Sequence, residues 1–317
     1  MTAKPVICVG GENLIDHVTR DGDVSALAGG SPFNVAMALG RQNADVHYLT
    51  PISTDSWGDT LADTLTASGV ALDGGRVDAP TTIARVTVTA GIPSYTFERD
   101  GTAERQVSAE SLRAAMPDET AALHTGSLAL TDGPDADAWE HTCKTAYDSG
   151  VLVSLDPNVR LSVITDPDAY RARILRMMAS THLLKLSDED LEGLYPNMSQ
   201  QKALDQVRAS TSASLVVMTK GPDGAVAWKG DTLVEIPAPP VPGLVDTVGA
   251  GDTFMATLLA GLARVNALSP EALSRLDKSD IEGLIRRAGM AAAINCSRAG
   301  CNPPTVKELD AALDRSV

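Results

Sequence analysis

The segment from Asp246 to Phe254 reads DTVGAGDTF, and the apolar stretch Met255 to Ala263, typical of a helix, follows it. Residues 249–251 are Gly, Ala and Gly, so no large side chain keeps a bound anion away from the backbone. The helix would direct its first free N–H groups and the positive end of its dipole to the same place. A carboxylate at such a turn, here Asp252, is repelled by an anion unless it takes part in the reaction. The pattern predicts that Asp252 is a general base, which takes a proton from a hydroxyl group as that hydroxyl attacks phosphorus.

The alternative is a Gly-rich turn in which Asp252 merely caps the following helix. The flanking residues favour the catalytic interpretation, because Asp-Thr precedes the glycines and Asp-Thr-Phe follows them. The whole segment matches D-T-x-G-A-G-D, the second signature of the PfkB/ribokinase family of sugar kinases, residue for residue. The chain resembles this family over nearly its whole length, and bacterial fructokinases most closely. The resemblance implies ATP and Mg²⁺ as cofactors, with K⁺ as a further candidate, and a small-molecule sugar as substrate. It assigns the catalytic roles to Asp252 and to an anion hole at Gly249, Ala250 and Gly251.

The composition restricts the range of partners. The chain has 317 residues, a formal net charge of −15 and a sequence pI near 4.7, which argues against nucleic acid as a partner. No apolar run approaches the ~18 residues that suggest a membrane span, and the N-terminal apolar run Val6–Val9 is too short for a secretory signal. The four cysteines show no C-x-x-C pair and are expected to be buried thiols. We therefore expect a cytoplasmic protein that contacts neither nucleic acid nor membrane.

Short apolar runs typical of strands alternate with helical stretches along most of the chain. This alternation predicts an α/β fold with a mainly parallel sheet covered by helices on both faces. Ligands of such folds bind beyond the C-terminal ends of the strands. The resemblance makes the expected fold a ribokinase-like three-layer sandwich with a mainly parallel central sheet and a small β-sheet lid. The predicted strands are Val6–Val9, Val46–Leu49, Ala122–His124, Leu152–Leu155, His182–Leu186 and Leu215–Thr219. The predicted helices are Asn34–Arg41, Thr60–Ser68, Ala136–Ser149, Tyr170–Met178, Glu189–Leu194, Gln201–Ser210 and Ser279–Asn295, with a short terminal one from Leu309.

The stretch from Thr81 to Phe97 departs from this alternation. It shows a period of two around a Gly-Ile-Pro turn, which predicts a hairpin. Together with the strand-like Leu14–Val18, it would form a small separate sheet. An ordinary edge hairpin is the alternative, but the resemblance implies a lid over the sugar. It also implies one kinase domain of residues 1–317 with lid segments at about residues 12–20 and 81–105, and a homodimer formed through the lid.

The sugar site is predicted from two further segments, and the resemblance adds single residues to them. AGGSPFNVA at residues 28–36 is the first family signature, in which a Gly-Gly pair lets the backbone approach a sugar ring. Asn34 in this segment offers a donor and an acceptor to hydroxyls, although it would also serve as a helix cap. The segment D-P-N-V-R at residues 156–160 provides a guanidinium for substrate oxygens or for the travelling phosphoryl group. The resemblance gives as substrate-binding residues Asp16, Gly30, Asn34, Arg99 and Arg160.

The segment KLSDED at residues 185–190 stands where the family has N-x-x-E, a motif that organises Mg²⁺ through water. Ser187 replaces the Asn and Asp190 replaces the Glu, so either Asp190 or Glu189 is the acid that organises the metal. A capping box, Ser187 with Asp190, is the structural alternative. Asp246 is the corresponding side-chain candidate for K⁺. The resemblance gives as nucleotide-binding residues Lys185, Ser187, Thr219, Lys220, Gly221, Gly224, Gly251 and Asn295.

The predicted activity is ATP-dependent phosphorylation of a primary hydroxyl of a monosaccharide. The lid segment YTFER at residues 95–99 looks more like fructokinases, which makes fructose the first choice and fructose 6-phosphate the product. 2-Keto-3-deoxygluconate is the second choice, because its kinases usually present tyrosine where this chain has Phe97. Ribose and nucleosides also stay open. A non-catalytic sugar- or nucleotide-binding regulator of the same fold is a different class, and the presence of Asp252 argues against it. A dinucleotide-dependent oxidoreductase lacks its G-x-G-x-x-G pattern after the first strand.

Overall fold

The structure is a computed structural model, which describes residues 4–20, 23–89, 92–241 and 243–315. The strands are β1 Val6–Val9, β2 Leu14–Arg20, β3 Asp23–Gly29, β4 Asp45–Tyr48, β5 Ile52–Ser53, β6 Val70–Ala71, β7 Arg76–Val77, β8 Thr82–Thr89, β9 Ile92–Glu98, β10 Thr120–Gly126, β11 Leu152–Asp156, β12 Leu183–Ser187, β13 Leu215–Thr219, β14 Ala225–Lys229 and β15 Thr232–Ile236. The α-helices are α1 Ser31–Arg41, α2 Ser56–Ala67, α3 Ala109–Ala115, α4 Gly133–Asp148, α5 Pro167–Met178, α6 Asp188–Leu194, α7 Gln200–Ser210, α8 Ala250–Arg264, α9 Pro270–Ser274, α10 Lys278–Cys296 and α11 Val306–Asp314. Short 3₁₀ turns lie at Ala103–Arg105, Ser127–Leu130, Leu161–Val163 and Gly221–Asp223.

A nine-stranded sheet forms the centre of the molecule, in the order β15-β14-β13-β12-β11-β10-β1-β4-β6. The seven strands from β13 to β6 in this order pair in parallel, and β14 and β15 add an antiparallel edge. In this register the last residues of neighbouring strands are paired, Gly126 with Asp156 and Ser187 with Thr219. The polar residues that follow or end these strands therefore lie together along the side of the sheet where the parallel strands have their C-terminal ends.

Helices cover both faces of this sheet. Apolar side chains of α1, α2, α8 and α10 form one core cluster on one face, and those of α4, α5, α6 and α7 form another on the opposite face. The parallel strands are buried on both sides; all five residues of β11, for instance, are buried. Continuous apolar strands of this kind need cover on both faces, which explains the three layers. Within the described residues, no helix is both long and apolar enough to cross a membrane.

A separate four-stranded sheet has the order β3-β2-β8-β9. β8 and β9 pair antiparallel from Ile83–Glu98 to Thr89–Ile92, so the predicted hairpin is present. Its predicted turn includes Gly91, which lies outside the described residues. Residues 237–242 form a Pro-rich stretch before the loop 246–249, and Pro242 at its end also lies outside the described residues. β2 pairs in parallel with β8, which brings the two segments of the predicted small sheet together.

The six predicted central strands and the predicted helices are all present, with ends that differ by a few residues. α1 begins at Ser31 rather than at Asn34, because Pro32 is accepted in the first turn and Gly30 takes the cap position. The alternative role of Asn34 as the helix cap is therefore wrong. The elements that the sequence analysis missed include β3 and the antiparallel edge β14–β15. These strands depend on pairing with neighbours rather than on a strong apolar pattern of their own.

Candidate active site

The loop 246–249 leads into α8 near the C-terminal ends of the parallel strands. Gly249 is the N-cap residue of α8 and has a left-handed backbone, with φ of 72°. A Cβ at this position would also collide with Cys301, so both the conformation and the contact require glycine. In the first turn of α8, the Ala250 N–H donates to the Thr247 carbonyl at 3.2 Å, whereas the N–H groups of Gly251 and Asp252 have no hydrogen-bond partner among the described residues. The local sequence thus builds an anion-binding helix terminus.

Asp252 lies in the first turn of α8, and its carboxylate turns away from the helix's own N–H groups. Oδ1 accepts a hydrogen bond of 2.7 Å from the Ser31 hydroxyl, and Oδ2 accepts one of 2.8 Å from the Asn34 amide. Both partners belong to α1, more than 200 residues earlier in the chain. The interpretation of Asp252 as a simple helix cap does not fit these contacts, since the cap position belongs to Gly249. Burial raises the pKa of Asp252 above its usual range, and the bonds from Asn34 and Ser31 work against this rise. A carboxyl group with a raised pKa suits a general base.

A buried ion pair stands next to this base. Lys185 Nζ lies 2.6 Å from Asp156 Oδ2, and both side chains are almost completely buried. A Cβ on Gly251 would come within 3.4 Å of the same Nζ, which places the ammonium group beside the first turn of α8. The other oxygen of Asp156, Oδ1, is buried and has no hydrogen-bond partner among the described residues. Lys185 was predicted at the nucleotide phosphates, whereas Asp156 was known only as part of a motif.

Glu12 is a buried residue that sequence reasoning left without a role. Its carboxylate accepts hydrogen bonds from the backbone N–H of Ser31 at 3.0 Å and from that of Ala129 at 3.3 Å. It therefore ties the start of α1 to the 3₁₀ turn after β10. Burial raises the pKa of Glu12 to about 7. The only sequence signal was an acid directly after the Gly-Gly pair that follows β1.

Three of the residues predicted to bind sugar lie close to the Gly-Gly turn before α1. Asn34 Oδ1 is buried and unpartnered among the described residues, so it is free to accept a hydrogen bond from a ligand. Asp16 on β2 faces Gly29, because a Cβ there would meet Asp16 Oδ2 at 2.6 Å, and burial raises the pKa of Asp16 to about 6. Gly30 has a φ of 107° and sits against the Glu12 backbone. The strand β2 and the Gly-Gly turn before α1 thus hold polar groups around the base.

The two predicted arginines are placed differently. Arg160 follows β11, is exposed, and donates only to the carbonyl of its neighbour Val159 among the described contacts. Arg99 is buried, with Nε 2.9 Å from Glu104 Oε1 and Nη1 3.1 Å from the Thr131 hydroxyl. It lines a cavity of about 760 Å³ beside the end of β9 in the four-stranded sheet. The structure therefore leaves the Arg160 guanidinium available and ties that of Arg99 to protein groups.

An apolar cleft of about 570 Å³ extends from the first turn of α8 toward α10. Ala250 and Gly251 form its inner end, and the predicted nucleotide residues Thr219, Gly221 and Gly224 line its side. The other predicted nucleotide residues, Lys185, Ser187, Lys220 and Asn295, do not line it. Asn295 is fully buried and holds the loops on both sides, donating to Val248 O at 2.7 Å and accepting from Asn302 N at 2.8 Å. The remaining lining residues are Pro222, Ala225, Ile236, Pro237, Ala238, Pro239, Pro240, Val241, Leu244, Thr247, Phe254, Ile285, Gly289, Ala292, Ala293 and Cys296.

The candidate metal residues lie at the start of α6 and in the loop before α8. Asp190 is buried and accepts backbone N–H bonds from Ser187 at 2.7 Å and from Val159 at 2.6 Å, so the capping box is present. Glu189 is exposed. Asp246 accepts from Val248 N at 3.0 Å and from Gly300 N at 2.9 Å, which joins two loops. No cluster of three or more acidic, His or Cys residues able to hold a metal occurs in the described part of the chain.

Comparisons with known proteins agree with this geometry. A family profile described as "pfkB family carbohydrate kinase" matches residues 9–308. A fructokinase of Rhizobium leguminosarum bv. trifolii is 37% identical over 279 residues, which cover 86% of this chain and 84% of that protein. A crystal structure of a fructokinase with bound ATP from Xylella fastidiosa superposes with a TM-score of 0.91 at 26% identity, covering 99% of both chains. A fructokinase of Vibrio cholerae O395 with fructose, ADP and calcium ion superposes with a TM-score of 0.83 at 24% identity, covering 98% of this chain and 99% of that one, and shows the shared fold.

The chain therefore belongs to the pfkB family of carbohydrate kinases. It is a phosphotransferase that acts on a sugar hydroxyl, and it has the ribokinase-like fold expected from its sequence. The oxidoreductase alternative is excluded by this result.

Proposed function

We propose that the protein is a fructokinase, which transfers the γ-phosphoryl group of ATP to a primary hydroxyl of fructose and produces fructose 6-phosphate. The observation that carries this proposal is the placement of Asp252. Its carboxylate lies at the N-terminus of α8 and is held by the side chains of Ser31 and Asn34. The fructokinase names of the relatives, and the ATP, ADP and fructose in their structures, support the choice of substrates.

Asp252 would take the proton of the attacking hydroxyl. Its two hydrogen bonds fix the direction of the carboxylate, and its raised pKa makes it a stronger base than an exposed aspartate. Asn34 Oδ1, Asp16 and the Gly29–Gly30 backbone would receive the other sugar hydroxyls, because these acceptors lie around the same carboxylate. Arg160, whose exposed guanidinium donates only to the Val159 carbonyl among the described contacts, would approach substrate oxygens from the carboxyl end of β11.

ATP would lie in the apolar cleft between the loop 219–224, the Pro-rich stretch and α10, with its phosphates at the first turn of α8. The backbone N–H groups of Ala250, Gly251 and Asp252 would then stabilise the charge that develops on the transferred group. Lys185 lies within β12, and Ser187 ends β12 and caps α6; both would lie on the phosphate side of this cleft. Lys220 and Asn295 would support the cleft from behind it.

The donor set fits Mg²⁺ held chiefly by phosphates and water. Mg²⁺ usually retains several waters and takes one or two carboxylates, so no dedicated protein cage is required. Glu189 and Asp190 are the acids that would organise its water shell, Glu189 more directly, because Asp190 already accepts two backbone N–H groups. When bound, the ion would neutralise charge on the phosphate oxygens. K⁺ would bind at Asp246, which joins the loops 246–248 and 300.

We also propose that residues 1–317 form one kinase domain with β2, β3, β8 and β9 as the lid. Such a lid excludes water, which would otherwise attack ATP. Pairing of two lid sheets would give a homodimer, as the resemblance implies. We also propose a cytoplasmic location, where ATP and free sugar are both at hand.

The test is a coupled assay of ADP release with Mg·ATP and a panel of fructose, 2-keto-3-deoxygluconate, ribose, adenosine and tagatose 6-phosphate. Turnover on fructose well above the other compounds supports the proposal. Preferential turnover on 2-keto-3-deoxygluconate would replace the substrate and keep the class of reaction. No turnover on any sugar, with ATP still bound, would indicate the non-catalytic regulator instead.

A further inference from the structure

The ion pair between Lys185 and Asp156 has no structural need that apolar side chains could not meet. Asp156 is the last residue of β11, Lys185 lies in the middle of the neighbouring strand β12, and both side chains are almost completely buried. Well-packed apolar residues in place of a buried ion pair often leave stability unchanged or increase it. The pair also leaves one oxygen of Asp156 without a hydrogen-bond partner among the described residues. Because burying these two charges is costly, an ion pair at this place, beside the proposed catalytic loop, suggests a role in function.

The ion pair lies close to Asp252. The Lys185 ammonium group borders Gly251, the residue before the base in the first turn of α8. In the described part of the chain, three charged or titratable side chains face Asp252 from neighbouring elements: Lys185 on β12, Asp156 on β11 and Cys301 in the loop before α11. Burial raises the pKa of the Cys301 thiol well above its usual value, so this group is neutral at ordinary pH. Burial and the hydrogen bonds from Asn34 and Ser31 have the larger effects on the ionisation of Asp252, and one anion and one cation modify it further.

These two charges act on Asp252 in opposite directions. Asp156 raises its pKa by repulsion, and Lys185 lowers its pKa by attraction. Because Lys185 is hydrogen-bonded to Asp156, it does not form an ion pair with Asp252, whose oxygens are bonded to Ser31 and Asn34 instead. A direct pair with lysine would make Asp252 a much weaker base.

We propose that the Asp156–Lys185 pair sets the strength of the catalytic base: Lys185 keeps the Asp252 carboxylate ionised, and Asp156 keeps the Lys185 ammonium group from pairing with Asp252. Both are positioning residues, which act on the reaction through Asp252. The inference rests on the proposed kinase function. It adds to that function a reason for the aspartate of the D-P-N-V-R segment and for a lysine in front of Ser187.

The test is the pH profile of kcat/KM for the sugar at saturating Mg·ATP in Lys185→Met and Asp156→Asn. Lys185→Met should move the acid limb of the profile upward by about one to three pH units, with activity recovering on the alkaline side. Asp156→Asn should move the limb downward and lower the alkaline plateau, because the base becomes weaker. Lys144→Met and Asp148→Asn, which alter an exposed pair on α4, are the matched controls and should leave the profile unchanged.

Two results would overturn the inference. One is a loss of activity in Lys185→Met by the same factor at every pH, which would make Lys185 a direct phosphate ligand. The other is a shift of both variants in the same direction. If Lys185→Met does not fold, the double variant Lys185→Met/Asp156→Asn leaves neither charge unpaired and is compared with Asp156→Asn. The additional loss of Lys185 must then raise the acid limb, and an unchanged limb contradicts the proposal.

A second measurement separates this inference from the proposed activity. The carboxyl group of Asp252 is titrated by ¹³C NMR in the wild type and the two variants, with its signal assigned by its absence in Asp252→Asn. Opposite shifts of the titration midpoint support the inference even if the wild type phosphorylates no sugar of the panel, in which case only the proposed substrate and activity fail. Equal midpoints in all three proteins refute it, whatever the turnover.

Discussion

Replacing Asp252 by asparagine should lower turnover and at the same time raise the stability of the fold, because the proposed base is a buried carboxylate. The amide has nearly the same shape as the carboxylate. Its oxygen can keep the bond from the Ser31 hydroxyl, and its NH₂ group can donate to Asn34 if that side chain turns its unpartnered Oδ1 toward it. The local structure is therefore expected to persist in Asp252→Asn.

Catalysis should fall because the amide cannot accept the proton of the attacking hydroxyl. General-base catalysis contributes on the order of 10²–10⁴-fold, which corresponds to about 2.7–5.4 kcal/mol at 1.36 kcal/mol for each tenfold change. The backbone N–H groups of the anion hole and the ATP cleft are unchanged, so the loss should appear in kcat and the affinity for ATP should stay close to wild type. The coupled ADP-release assay measures the first quantity, and titration with Mg·ATP measures the second.

Stability should change in the opposite direction. Burial raises the folded-state pKa of Asp252 above its unfolded value. The folded state therefore binds more protons in the window between the two pKa values, and stability falls as the pH rises through that window. Above this pH window Asp252 is ionised in both states, and the free-energy cost of burying its charge reaches its full value. Asp252→Asn has no charge to bury and removes this cost. Urea unfolding at pH 8 should show the variant more stable than wild type, and the advantage should vanish below the unfolded pKa of about 3.9.

Turnover of Asp252→Asn within about tenfold of wild type would refute the general-base role, because one tenfold step is only 1.36 kcal/mol. A variant less stable than wild type at pH 8 would refute the account of burial. Asp148→Asn on the exposed surface of α4 is the control and should change neither quantity.

Three other substitutions test the surroundings of the base. Gly249→Ala forces a left-handed conformation and a collision with Cys301, which should cost about 2–5 kcal/mol in urea unfolding and lower kcat; wild-type values for both would contradict the anion-hole geometry. Glu12→Gln removes a group whose pKa burial raises from its usual 4.5 to about 7, so the variant should gain stability relative to wild type as the pH rises through this range; a pH-independent difference would exclude that cause. Gly10→Ala drives a methyl group into Trp139 and should destabilise by about 1–3 kcal/mol in the same assay, whereas an unchanged midpoint would show that the indole moves freely.

The sequence predicted most of the central sheet because its strands are short apolar runs that are buried on both faces. Val6–Val9 and Leu215–Thr219, for example, have in the structure the bounds that were predicted. β3 was missed because DVSALAG combines polar and small residues and becomes a strand only by pairing with β2. The strands β14 and β15 were missed because an antiparallel edge does not continue the βα alternation.

The sequence predicted those site residues that lie within one continuous motif. It did not predict the contacts between residues that are far apart in the chain. The anion-hole loop is one continuous segment, so its glycines and Asp252 were apparent. The bond from Ser31 to Asp252 joins residues 221 positions apart, and a serine in a Gly-rich turn gave no reason to expect it. The pairing of Lys185 with Asp156 follows from β11 and β12 being neighbours in the sheet, and the strand order is needed to know this.

The hydrogen bonds between α1 and Asp252 of α8 also have a consequence for the synthesis of the chain. A ribosome delivers the lid, the Gly-Gly turn and α1 first, and it delivers the loop 246–249 and α8 only when about four-fifths of the chain is complete. The nascent N-terminal part thus holds the groups proposed to bind sugar without the base or the helix terminus that would hold ATP phosphates. If Asp252 is the base, phosphoryl transfer begins only after α8 has docked, and a chain that ends before the loop 246–249 should transfer no phosphoryl group to sugar.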